Sequence, residues 1–124
     1  MEGSALIGDV HARTASVPVP SGGITRGTGV DRSGNVVTSG VPFGIAVDSS
    51  SNERARVTVV RKGFCAVLTA DDSPSQDAGA KVTTDGKFID DADTGSTTVI
   101  PEMDAGSADE LIDAYVDCLN VNNA

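Results

Sequence analysis

The chain is predicted to be all-β, a small barrel or sandwich built from hairpins with an extended N-terminal arm, and three observations carry that expectation. From Gly22 onward, short Val-, Ile- and Thr-rich runs alternate with clusters of Gly, Ser, Asp and Asn. Over 54–61, Ala55, Val57 and Val59 alternate with Arg56, Thr58 and Val60, the period-two pattern of a half-buried strand. Glycine turns, at Gly34 and at Asp85-Gly86, each lie between two β-branched runs. The length of 124 residues fits one domain, divided into an arm over 1–20 and a single β-rich domain over 21–124.

Taken in order, residues 1–20 keep no sustained apolar period. Val17, Pro18, Val19 and Pro20 favour an extended path in which the prolines donate no ladder bonds, so this segment is expected to lie outside the core, either as a frayed terminus or as an arm that orders against a partner. Ile24–Val30 reads as a strand, 31–35 as a tight turn and Val36–Thr38 as its return. A strand follows over Val41–Val47, with Pro42 marking its first residues or an edge. After the polar turn Ser49–Glu53 come the alternating strand to Arg61 and, past Lys62-Gly63, a more fully buried run Phe64–Leu68. A second hairpin is expected over Lys81–Ile89, with Asp85-Gly86 as its two-residue turn. It echoes the first: Gly27, Val30, Gly34, Val36 and Val37 recur at one offset as Gly79, Val82, Gly86, Phe88 and Ile89, a pseudo-symmetric pair within one barrel or sandwich. The end of the chain fits two forms. Ser107–Glu110 matches a capping box, with Leu111, Ile112, Tyr115, Val116 and Leu119 on one helical face, yet Val116–Val121 equally suits a closing strand with Cys118 inward.

Composition excludes several function classes. With no Trp, one Tyr, three Phe and 14 Gly, the core rests on small aliphatic side chains. At about 25 cal/mol per Å² of apolar area they offset the ordering entropy only narrowly, so burial against a partner, by oligomerisation or docking, is expected. The net charge of -9 argues against nucleic acid, since there is no Lys/Arg cluster to displace counterions. No apolar run approaches the roughly 20 residues of a spanning helix, and neither a basic n-region nor an apolar h-region opens the chain, so a cytosol-made protein without export signal or membrane span is expected.

Candidate chemistry is sparse. His11, the single histidine, falls in the arm, where nothing fixes it as a base, so an enzyme is not expected. Ser21–Gly29 is glycine-rich but lacks the Lys-Ser/Thr of a phosphate loop. Asp90, Asp91 and Asp93 form the best hard-cation cluster, though without the ligand series of a calcium-binding loop, and a solvated turn is the simpler reading there and at Asp71-Asp72. Paired carboxylates for glycoside hydrolysis would lack sugar-stacking aromatics. Cys65 and Cys118 are expected as buried, reduced thiols, with a disulfide or metal site as the alternative. No cofactor and no metal are therefore assigned.

The hairpin pair and the strands between them resemble a family of phage and archaeal-virus capsid decoration (cement) proteins over roughly residues 20–120. The resemblance rests on a Gly-containing entry strand and hairpin, Gly44-Ile45-Ala46-Val47, the valine strand Val57–Gly63 and the hairpin Gly79–Ile89. It implies a β-barrel or β-tulip and a strand at the C-terminal segment. It also implies trimers or similar clusters on the outer capsid face of the virion, where they bind the major capsid protein and stabilise contacts between its subunits. Val17, Pro18, Val19 and Pro20 would then form the capsid-contacting arm. The alternative is a virion-surface or soluble ligand- or glycan-binding β-domain, in which calcium would sit at Asp90, Asp91 and Asp93.

Overall fold

The computed structural model describes residues 13–91 and 99–119. Eight strands make up one sheet: β1 (Arg13–Pro18), β2 (Gly29–Val30), β3 (Gly44–Ala46), β4 (Arg56–Leu68), β5 (Ala80–Val82), β6 (Phe88–Asp90), β7 (Val99–Pro101) and β8 (Leu111–Asp117). They run in the order β2-β3-β4-β8-β7-β5-β6, with β1 also paired to β4, and every strand pair is antiparallel. The sheet curls into a half-barrel, so the all-β expectation holds; among the described residues the one helical feature is a 3-10 turn at Thr84–Gly86.

The long strand β4 organises the rest. Val59 pairs with Ala15 of β1 and with Ala46 of β3, while Lys62–Leu68 pair with β8. Two apolar clusters result. One gathers Val17, Val19, Ile24, Val30, Ala46, Val57 and Val59; the other gathers Ile45, Val60, Val67, Ala80, Val82, Phe88, Val99, Ile112, Ala114 and Val116. Neighbours Val59 and Val60 point to different clusters, as alternation along a strand requires.

The second predicted hairpin forms as β5 and β6, whereas the first is shorter than expected: only Gly29–Val30 is a strand, Val36 meets it through an isolated bridge, and 24–28 are turn and bridge residues. The two turns nevertheless use the repeated glycine alike. Gly34 has φ +86° and Gly86 φ +73°. In the first, Asp31 Oδ1 accepts from the amides of Ser33 and Asn35, and Val30 bridges Val36. In the second, the loop is three residues rather than two, closed by the Thr83 amide donating to Lys87 O at 2.7 Å. Each turn makes a close approach: a Cβ at Gly86 would lie 2.9 Å from Gly29 O of β2, and one at Gly34 2.1 Å from Pro18 O of β1. Glycine at these turns thus permits both the left-handed backbone and the close approach that curls the sheet.

Two expectations are corrected, and one choice left open by the sequence is decided. Residues 13–20 are not outside the core. Ala15, Val17 and Val19 alternate with exposed or half-buried residues, and Val17 and Val19 are buried in the first cluster. Proline is tolerated at the end of β1 because the strand has one partner, β4, among the described strands. Phe64 does not continue a buried run: its side chain is 70% exposed. Gly63, at φ +132°, lies where the inward phase changes, from Val60 before it to Cys65 and Val67 after it. The helix that the capping box permits at the end of the chain is absent, and 111–117 is a strand, as the resemblance implies. Asp109 adopts φ +57°, and Glu110 Oε1 accepts from the Gly106 amide at 2.6 Å, so the box residues build a turn. Ile112, Ala114, Val116 and Cys118 then alternate inward.

Candidate docking surfaces

The strand register determines which side chains share a face. Partners directly opposite in an antiparallel pair project to the same side. Phe64 of β4 lies opposite Tyr115 of β8, which lies opposite Ile100 of β7, so the three form one row across the outer face. The Phe64 and Tyr115 rings meet edge-on with centroids 5.3 Å apart. One flanking row holds Ala66, Asp113 and Glu102, the last joined to Asp113 by its amide donating to Asp113 O at 2.8 Å. The other holds Lys62 and Asp117. Leu111, opposite Leu68, is 40% exposed at the edge of the same face.

A second surface caps the first cluster. Phe43 packs on that cluster, and the guanidinium carbons of Arg61 and Arg32 lie 4.0 and 4.5 Å from its ring centroid. Arg61 Nε donates to Phe43 O at 2.8 Å, which fixes the stack. An open polar groove lined by Gly22, Gly23, Ile24, Thr25 and Ser49–Ser51 covers the end where Ile24 bridges Ser50.

The sites named from sequence are dispersed. Val17 and Val19 are core residues; Pro18 and Pro20 are half-buried beside them. Asp90 ends β6, its amide donating to Ser73 Oγ at 2.9 Å, and the buried Asp91 donates its amide to Gly79 O. Asp93 and His11 lie outside the described residues. No group of three or more metal-ligating side chains occurs among the described residues. Asp71 is held below the usual carboxylate range by hydrogen bonds from Ser73, a local turn contact. Cys65 and Cys118 are both free thiols, Cys118 buried as expected but Cys65 only partly so, because it packs at the edge of the second cluster; desolvation pushes each up to about 12. Ser21–Gly29 forms turns and bridges that feed β2, with Thr28 Oγ1 donating to Thr25 O.

Sequence reasoning missed the Phe64–Tyr115–Ile100 row. Its signal was the alternation of Ile112, Ala114, Val116 and Cys118, which places Tyr115 outward, but the helical spacing of Leu111, Tyr115 and Leu119 competed with it.

No protein-family model matches the chain, and no curated protein sequence matches it. Its fold is similar to a solved structure, the head fiber gp8.5 N base of bacteriophage phi29, with a TM-score of 0.65 at 10% sequence identity over 86% of this chain and 95% of that one.

Proposed function

We propose that this chain is a capsid decoration (cement) protein of a bacteriophage: a non-enzymatic part of the virion, bound to the outer capsid surface, where it stabilises contacts between major capsid subunits. The observation that carries the reading is the likeness over 86% of the chain to the base of a phage head fiber, a structural protein attached to a head. The sequence resemblance to decoration proteins points the same way. The chemistry of the chain suits it, with its outward aromatic pair and its aliphatic core short of large side chains. Oligomers, trimers in the reading implied by the resemblance, bury further surface, and many weak contacts repeated over a shell add up to strong attachment. Nucleic acid and membrane have no place in the reading, given the net charge of -9.

Co-sedimentation with capsids lacking the chain tests it. Saturable binding at a fixed ratio to the major capsid protein is expected. Absence of binding at every salt concentration overturns the reading and moves a ligand-binding domain to the front. Truncation before Ser21 is unsuitable as a probe of docking, because it deletes β1 and two core valines.

A further inference from the structure

Three surface features stand apart from the core: the polar groove at Gly22–Ser51, the Arg32–Phe43–Arg61 stack, and the outer face of β4, β8 and β7. The groove offers small hydroxyls and no charged side chain, and Arg61 is already engaged by Phe43 O. The sheet face is different in kind.

We propose that the row Phe64–Tyr115–Ile100, with Asp113 and Glu102 beside it, is the surface that docks on a basic, apolar-pocketed patch of the capsid protein. The inference rests on the capsid reading above and names the face and the partner's chemistry. Four aromatic side chains serve the whole chain, and one of the three phenylalanines stands 70% exposed instead of filling a core short of large groups. Water gains nothing from such a residue, whereas a pocket that desolvates it gains the full transfer energy, which is why aromatic anchors dominate interfaces. Tyr115 packs against its edge and holds the ring in place, lowering the entropy lost on docking.

Charge identifies the partner. Asp113 and Glu102 are both exposed, the Glu102 amide just past the end of β7 donating to Asp113 O, and like charges on neighbouring residues repel. Among the described residues no basic side chain forms an ion pair with either; Lys87 pairs with Asp109 elsewhere. Lysine or arginine from outside would relieve that repulsion. A second copy presenting the same face would bring two more carboxylates against these two rather than relieve them, and the chain's net charge of -9 adds to the penalty. Substitution on this face leaves the core intact, because Phe64 and Glu102 are exposed.

Capsids lacking the chain are titrated with wild type, Phe64→Ser, Glu102→Lys and, as a control in a distant polar turn, Glu53→Ser, and bound protein is read by co-sedimentation. The free variants are run in parallel by sedimentation velocity. Phe64→Ser and Glu102→Lys are each expected to weaken capsid binding at least about tenfold while Glu53→Ser binds as wild type, and wild-type affinity is expected to fall with added salt. Wild-type binding that all three variants share overturns the docking face and leaves the capsid reading standing. Loss of wild-type binding itself defeats the capsid reading instead. An oligomer of the free chain that Phe64→Ser dissociates, with capsid affinity unchanged, assigns the face to a second copy and overturns the proposal.

Discussion

Burial keeps Cys65 and Cys118 protonated in the folded chain, each raised from an ordinary value of 9.0 to about 12. Desolvation is the main cause in both; for Cys118 the nearby Cys65 adds to it, whereas Arg26 draws Cys65 slightly back down. A raised folded value means that the stability they contribute is fully present below pH 9 and is lost as pH climbs from 9 toward about 12. Thiolate being the reactive form, a chromogenic disulfide reagent at pH 8 should titrate well under one equivalent from the native chain and both thiols after urea unfolding. Rapid release of both from native protein would contradict the packing around β4 and β8. The expected reduced state of these cysteines was legible from their wide spacing and lack of a CxxC pair, but their surroundings were not, since those depend on which way two distant strands face.

At the scale of elements, legibility followed the source of the local signal. The hairpins at Gly34 and Gly86 were readable because turn chemistry is local: a positive φ selects glycine whatever the rest of the chain does. The C-terminal strand was masked because the inward set Ile112, Ala114, Val116 and Cys118 includes a small residue and a thiol, while the larger Leu111, Tyr115 and Leu119 fell in helical phase. Strand β7 is three residues long and ends in Pro101, too short for any period to show. Strand β1 was read as an arm because two prolines weigh against a central strand, although Val17 and Val19 alternate inward. The strand and helix readings of 111–117 diverge in their mutational pattern. Ile112→Ala should cost about 2–5 kcal/mol by urea denaturation, and Leu111→Ala under about 1 kcal/mol. Equal losses at both positions would place the two side chains on one buried helical face and contradict the strand.

For the whole molecule, the fold class and the turn-and-return layout were available from composition and periodicity, whereas the docking face emerged only from register. Phe64, Tyr115 and Ile100 are far apart in sequence, and β4 changes its inward phase around Gly63, so nothing local marks them as neighbours. A small aliphatic core, an acidic composition and an outward aromatic row are the features on which the proposed attachment role draws. The central claim, attachment to the outer capsid face, is tested most directly by electron cryomicroscopy of capsids assembled with and without the chain. Added density is expected on the outer surface at symmetry-related positions bridging major capsid subunits, with the β4–β8–β7 face toward the shell. Capsid maps that remain identical in the presence of saturating chain would contradict the account.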